Sequence, residues 1–187
     1  MIKTLKAKTQ LVPHPIFAIG YSTRSLHNFI ELLQAHDIKM VIDVRTVPKS
    51  RHCPEYNKEQ LRKTLKTAKI GYQHMKGLGG LRHASKNSIN TGWVNASFRG
   101  FADYMQTFPF QKGLERLAKI AHKKRCVLMC AEGVPWRCHR SLIADALTLK
   151  KWKVFHIQSK ITVKPHKLTS FLHVKKGQLV YSATSIS

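Results

Sequence analysis

Short apolar runs alternate with segments of helical periodicity along this chain, and that alternation constrains its fold more than any other feature. Runs of four or five apolar residues have the length of buried strands, and alternating strands and helices are typical of a parallel sheet covered by helices. We therefore predict an α/β fold with a mostly parallel sheet flanked by helices in three layers. The predicted strands are 16–19, 40–44, 71–74, 126–129 and 154–157, and the predicted helices begin near Ser25, Asn57, Phe101, Gln111 and Ser141.

The chain of 187 residues is long enough to bury about two thirds of its unfolded surface in one core. We assign residues 1–14 to a basic N-terminal extension and residues 15–187 to a single α/β domain. The tail from Ser159, which ends near Tyr181, is predicted to pack on this domain as a small C-terminal hairpin. Residues 75–100 lack a clean period and are rich in glycine and asparagine, so we predict a long loop, which in compact domains is usually functional or mobile.

The sequence predicts a soluble, cytoplasmic protein that does not associate with membranes. No apolar run approaches the roughly 18 residues of a membrane-spanning helix, and prolines interrupt the apolar stretch after the basic start. Cys126, Cys130 and Cys138 cluster while Cys53 stands apart. Such a layout is a poor framework for structural disulfides, so we predict reduced thiols.

Charge is the strongest compositional signal, with 33 Lys and Arg residues against 9 Asp and Glu and a formal net charge of +24. The excess lies at both ends, since no acidic residue precedes Glu31 and none follows Asp145. A field of this sign attracts polyanions, so we predict nucleic acid or a nucleotide as the partner. The alternative is that the charge only keeps the protein in solution. The sequence identifies no protein partner.

Polar residues follow several predicted strands at the points where these strands end. The carboxyl ends of parallel strands with right-handed crossovers meet at one edge of the sheet, where ligands bind. Segment 130–140 then leads into a helix whose free N–H groups favour a bound anion. For Asp43 and Arg45, a simple strand-end ion pair is the alternative. The predicted substrate- or anion-binding residues are Tyr21, Ser22, Asp43, Arg45, His74, Gly79, Gly80, Arg82, Arg137, Cys138 and Ser141.

Cys130 is the predicted nucleophile at this edge. It follows an apolar run and faces a helix N-terminus near His139 and Arg140, surroundings that lower a thiol pKa and activate the sulfur. We predict that Glu132 orients a base or the substrate, that His139 exchanges protons, and that Arg140 supports the reaction. The alternative is that Cys130 is only a small buried side chain at a strand end.

Cys130, Cys138 and His139 are also candidate zinc ligands. Structural zinc sites place paired ligands two to four residues apart and use four of them, and this spacing differs from that pattern. We therefore predict no metal and no other cofactor. A disulfide or redox pair of Cys130 and Cys138 stays open, because a flexible loop between them allows the two sulfurs to meet.

Several short segments are distinctive in combination: AIGYS at 18–22, DVR at 43–45 followed by Pro48 and Ser50, LGG at 78–80, CAE at 130–132 and CHR at 138–140. Together they resemble the domain of unknown function 488 family, over a stretch from about Phe17 to Tyr181. The resemblance implies an intracellular, mostly prokaryotic protein with an α/β fold and no established activity. A weaker likeness is to rhodanese-like and cysteine-phosphatase domains. The chain departs from these because a phosphatase loop has arginine six positions after the cysteine, where Trp136 lies here.

Three functions are consistent with these features. The first is an enzyme that uses Cys130 on a phosphate-bearing substrate, either nucleic acid or a nucleotide. The second is a non-catalytic nucleic-acid-binding module in which Cys130 is structural. The third is an interaction domain that is switched by oxidation of Cys130 and Cys138.

Overall fold

The computed structural model describes residues 14–183, so the predicted N-terminal extension lies outside the described residues apart from His14. The strands are β1 (Ile16–Gly20), β2 (Met40–Asp43), β3 (Gly71–His74), β4 (Cys126–Cys130), β5 (Val154–Ile157), β6 (Val163–Pro165), β7 (Leu172–Lys175) and β8 (Gln178–Tyr181). The helices are α1 (Leu26–Ala35), α2 (Lys58–Thr67), α3 (Ala96–Met105), α4 (Phe108–Ala121) and α5 (Arg140–Leu149), with short 3₁₀ turns at Pro54–Tyr56, Lys76–Leu78 and Pro135–Arg137. Among these described helices, none combines the length and the apolar character needed to cross a bilayer.

Six strands form one sheet in the order β3-β2-β4-β1-β5-β6. The first five are parallel, and β6 pairs antiparallel with β5. The predicted α/β fold with a mostly parallel sheet is therefore confirmed. The sequence does not predict β6, because this short edge strand ends in Pro165 and is largely exposed, so it has no apolar run to reveal it.

Helices cover both faces of the sheet because the central strands are apolar on both sides. On β4, Val127 packs in one core with α1 and α2, whereas Leu128 packs in the other with α3, α4 and α5. A strand buried on both faces has a continuous apolar sequence rather than an alternating one, which explains the run in β4. The three-layer arrangement predicted from the sequence is confirmed.

The caps of α1 and α2 differ in how well the sequence predicts them. Ser25 Oγ accepts the N–H of Asn28 at 3.2 Å, so α1 begins at its predicted cap. The capping box predicted at Asn57 is wrong, because this side chain accepts the N–H of Ser50 at 2.7 Å instead. Asn57 thereby fixes the segment after β2, which reaches the sheet edge where ligands bind.

The predicted loop 75–100 is shorter in the structure, because α3 already begins at Ala96. Asn95 Oδ1 accepts N–H groups of the first turn and so starts this helix early. Asp103 of α3 organises the remaining loop by accepting hydrogen bonds from Ser88 Oγ at 2.6 Å and Asn90 Nδ2 at 2.7 Å. The loop is therefore anchored on α3.

The predicted C-terminal hairpin is confirmed as β7 and β8, and a buried hydrogen-bond chain joins it to α5. Tyr181 Oη donates to Asp145 Oδ2 at 3.0 Å, and His166 Nε2 donates to Oδ1 at 2.8 Å. His166 Nδ1 also lies 3.0 Å from His156 Nε2. His156 Nδ1 has no hydrogen-bond partner among the described residues and is buried.

Acidification should destabilise the protein through His156. Burial, assisted by the positive charges of His166 and Arg140, lowers the pKa of His156 from 6.5 to about 4. The unfolded chain binds this proton below pH 6.5 but the folded chain only near pH 4. The free energy of unfolding should therefore fall by about 3 kcal/mol between pH 7 and pH 4 through this group alone.

Urea unfolding at the two pH values measures this loss. In His156→Gln, the difference in unfolding free energy between pH 7 and pH 4 should shrink by about 3 kcal/mol, whereas exposed His27→Gln should leave it unchanged. Equal acid sensitivity in His156→Gln and the unmodified protein would contradict the prediction.

Candidate functional site

A cavity of about 450 Å³ opens at the carboxyl edge of the sheet, beside the ends of β1, β2 and β4. Parallel α/β folds bind their ligands at this edge. The segment after β2 and the segment between β4 and α5 form much of its wall. Of the residues predicted from the sequence, the cavity is lined by Tyr21, Arg45, Gly80, Cys130, Glu132, Arg137, Cys138 and His139.

The other predicted residues do not line this cavity, although two of them support its wall. His74 Nε2 contacts the backbone oxygen of Arg45 at 2.8 Å, and Ser141 Oγ donates to the backbone oxygen of Cys138 at 2.9 Å. Arg82 lies elsewhere, with its guanidinium 3.7 Å from the centre of the Tyr104 ring. The predicted residues outside the lining are Ser22, Asp43, His74, Gly79, Arg82, Arg140 and Ser141.

Cys138 is the cysteine of this site that the surrounding cationic groups contact. It directly precedes α5 and its Sγ accepts the Nε–H of Arg140 at 3.2 Å, while His139 Nδ1 lies 3.8 Å away. The S–H of Cys130 donates to the same sulfur. This hydrogen bond lowers the pKa of Cys138 well below its ordinary value despite the opposing effect of burial, and His139 and Arg140 lower it further.

Cys130 retains the proton of the pair. Donation of its S–H to Cys138, together with burial, raises the pKa of Cys130. The expectation of a lowered pKa at Cys130 is therefore wrong. The imidazole and guanidinium groups act on Cys138 instead, because Cys138 adjoins α5 whereas Cys130 is the last residue of β4.

The backbone fixes the orientation of the His139 ring. His139 Nε2 lies 2.9 Å from the carbonyl oxygen of Val44, and a carbonyl only accepts hydrogen bonds. Nε2–H therefore donates to this carbonyl, and Nδ1 faces Cys138. Gly80 leaves room for the His139 ring, since a Cβ at residue 80 would lie only 2.5 Å from Nδ1.

Arg140 and Gly20 fix the path of segment 131–137, which brings Cys138 back beside Cys130. Arg140 is 1% exposed and donates through Nη2 to the backbone oxygen of Glu132. A Cβ at Gly20 would overlap that same oxygen, so only glycine lets the segment pass over the end of β1. The Glu132 carboxylate accepts the N–H of Val134 at 2.9 Å, and in this arrangement it stabilises the turn.

Asp43 and Arg45 form a buried ion pair next to the cavity. Arg45 Nη2 lies 2.6 Å from Asp43 Oδ2 and Nε lies 2.9 Å from Oδ1. The ion-pair alternative considered from the sequence is thus confirmed. Tyr72 Oη also donates to Oδ2 at 2.6 Å, and burial together with this carboxylate raises the pKa of Tyr72. The carboxylate is therefore fully engaged, while Arg45 still lines the cavity.

Sequence reasoning missed several lining residues because they lie far from Cys138 in the chain. Lys49 and Ser50 follow β2, and Ser97 and Phe98 lie in the first turn of α3. Ser50 belongs to one of the segments that resemble the domain of unknown function 488 family, so the resemblance contained a signal for this part of the wall. Ser97 and Phe98 also lie within the stretch that resembles this family, but the aperiodic sequence around them hid the start of α3.

Cys130, Cys138 and His139 are the described residues best placed to hold a metal ion, because their donor atoms lie within 4.8 Å of one another. Sequence spacing alone does not exclude a metal here, because the segment between the two cysteines folds back and brings the three donor atoms together. Electrostatics nevertheless disfavours a cation here. The Arg140 guanidinium already donates to Cys138 Sγ, and Cys130 keeps its proton, so the arrangement favours thiol chemistry.

Comparison with known proteins identifies one match. A family model described as "Domain of unknown function DUF488" matches residues 25–147, which is more than half of the chain. This range contains the cysteine pair, His139 and Arg140, and it ends within α5. No curated protein and no solved structure matches the chain. The weaker likeness to rhodanese-like and cysteine-phosphatase domains receives no support from this comparison.

Proposed function

Since the chain belongs to the DUF488 family, whose description assigns no activity, we propose from the site that the protein is a cysteine-dependent enzyme acting on a phosphate-bearing substrate. Cys138 is its nucleophile, and Cys130, His139 and Arg140 support it. One observation carries the proposal: Arg140 Nε–H at 3.2 Å and His139 Nδ1 at 3.8 Å both contact Cys138 Sγ, and Cys130 Sγ lies within 4.8 Å of it. Partners of this kind activate a sulfur nucleophile.

Each partner of Cys138 has a distinct role in this proposal. Arg140 and Cys130 stabilise the thiolate before it attacks, because both donate hydrogen bonds to the sulfur. His139, protonated at Nδ1, supports the thiolate and can give this proton to a leaving group, since its Nε2 is held by the backbone. Glu132 acts indirectly, by holding the turn and accepting from Arg140 through its backbone oxygen.

The charges around the cavity favour an anionic substrate group. Lys49 and Arg137 line the cavity and are exposed, and neither forms an ion pair within residues 14–183. Arg45 adds a third cationic side chain, although Asp43 balances its charge. Lysine and arginine are the usual protein partners of phosphate, so a phosphate group is the substrate feature that this wall fits best.

The formal net charge of +24 favours nucleic acid, or a nucleotide, as the molecule that carries the phosphate. Exposed Lys150, Lys151 and Lys153 follow α5 without an acidic partner in the described residues. The same charge supports a second candidate function, a nucleic-acid-binding module without catalysis. In that case the cavity binds phosphate and the cysteines are structural.

Protection of Cys138 from alkylation tests the proposal. We expect inorganic phosphate, a nucleoside monophosphate or an oligonucleotide to slow labelling of Cys138 by iodoacetamide at pH 7. A ligand at ten times its Kd should slow it about tenfold, because only the free protein reacts. The rate is followed by peptide mass spectrometry at each ligand concentration.

The control compares two lysine variants. Lys49→Ala should raise the phosphate concentration needed for protection, whereas Lys119→Ala, remote from this cavity, should not. Labelling of Cys138 that is indifferent to all three phosphate-bearing ligands would overturn the substrate assignment.

A further inference from the structure

The two cysteines of the site are placed to react with each other. The donor atoms of Cys130, Cys138 and His139 lie within 4.8 Å of one another. A disulfide has an S–S length of about 2.05 Å, so the two sulfurs need to approach by less than about 3 Å to bond. Trp136 and Arg137, which lie in the segment that joins them, are exposed.

The remaining cysteines are not placed to compete. Cys126 begins the strand that Cys130 ends, and four residues of extended chain separate them by about 13 Å, which is too far for a disulfide. Cys53 packs against the core on the α1 and α2 face, whereas Cys130 packs against the core on the opposite face. Oxidation is therefore directed to one pair.

We infer that Cys130 and Cys138 form a reversible disulfide when a hydroperoxide oxidises the site, and that this bond switches the site off. The inference rests on the proposed function, because it requires Cys138 to be the reactive sulfur. The oxidised protein has neither a free thiolate at Cys138 nor the S–H donor at Cys130. Formation of the disulfide would also protect Cys138 from irreversible oxidation to the sulfinic acid.

The oxidation proceeds in two balanced steps. Cys138 Sγ attacks one oxygen of the peroxide, an S–O bond forms, the O–O bond breaks, and the departing oxygen leaves as water or alcohol after taking up a proton. Cys130 then loses its proton, and its sulfur attacks Cys138 Sγ. The S–S bond forms, the S–O bond breaks, and water leaves. Two thiols are oxidised by two electrons, and the hydroperoxide is reduced by the same two.

Peroxide treatment of the purified protein tests the inference. Hydrogen peroxide in slight excess should remove most of the iodoacetamide labelling of Cys138 at pH 7, and dithiothreitol should restore it. Peptide mass spectrometry should find one linked peptide pair that contains Cys130 and Cys138 and is lighter by about 2 Da than the two reduced peptides. Cys53→Ser should give the same product, since it leaves the pair intact.

The Cys130→Ser variant provides the decisive comparison. Without its partner, Cys138 should accumulate as a sulfenic acid that dimedone traps, and further peroxide should convert it to the sulfinic acid. If Cys138 labels rapidly but no Cys130–Cys138 disulfide forms, the inferred redox switch is wrong, while the assignment of Cys138 as the nucleophile is unaffected. If Cys138 neither labels nor oxidises in the native protein, the proposed function fails as well.

Discussion

Replacing Asp43 by alanine is expected to lower the free energy of unfolding by about 3–5 kcal/mol, the usual cost of leaving one charge of a buried pair without its partner. Asp43 is fully buried and Arg45 is 5% exposed, so the guanidinium would lose both close contacts with the carboxylate and could not regain them from water. Tyr72 Oη would lose its acceptor at the same time. Urea unfolding at pH 7 measures the change.

Two further variants make this prediction specific. Asp37→Ala removes a carboxylate that is 63% exposed and paired with Lys39, and it should change the unfolding free energy by less than about 1 kcal/mol. Asp43→Ala combined with Arg45→Met should be more stable than Asp43→Ala alone, because it removes the uncompensated cation. A double variant as unstable as the single one would contradict the charge-based explanation.

Affinity for single- or double-stranded oligonucleotides is expected to fall steeply with salt. If six to ten phosphates are contacted, the loss between 50 and 200 mM salt is about 10³- to 10⁵-fold, because each contact releases a condensed counterion. The formal charge of +24 supplies more than enough cations for such a footprint. Titration of labelled oligonucleotides at both salt concentrations measures the slope.

A triple variant locates the contacts. Replacing Lys150, Lys151 and Lys153 by glutamine should reduce the magnitude of the slope of log K against log salt by up to about 3, and it should weaken binding to all sequences alike. The absence of any binding at low salt would remove nucleic acid from the proposed function. Loss of Cys130 or Cys138 should leave this electrostatic binding largely intact.

Most of the sheet could be predicted from the sequence because it is buried on both faces. The runs in β1 and β4 are apolar throughout. Because the carboxyl ends of parallel strands meet at one edge of the sheet, segment 130–140 could then be placed at the ligand-binding edge without knowledge of the function. Edge strand β6 and the first turn of α3 were missed for the opposite reason. Their residues are largely exposed or lie in an aperiodic stretch, so burial leaves no periodic signal in them.

The assignment of the reactive cysteine could not be read from the sequence. Cys130 and Cys138 both lie near His139 and Arg140 in the chain, and only the path of the intervening segment decides which sulfur receives their hydrogen bonds. That path depends on contacts between distant residues: Gly20 beneath the Glu132 oxygen, and the Val44 oxygen that orients His139. Spacing likewise does not reveal that the donor atoms of Cys130, Cys138 and His139 lie within 4.8 Å of one another, since it does not report that a segment folds back.

The rate of alkylation against pH, with each modified residue located by peptide mass, tests the assignment of the thiolate most directly. An ordinary thiol near pKa 8.5 gains about tenfold in rate per pH unit below that value, whereas a thiol that is already ionised does not. Cys138 should therefore label first in the native protein, and its rate should rise less steeply with pH than that of an ordinary thiol. Cys130→Ala and Arg140→Ala should each restore a steeper rise with pH by removing a hydrogen bond that stabilises the thiolate. First labelling of Cys130, or no labelling of Cys138 until the protein unfolds, would contradict the account.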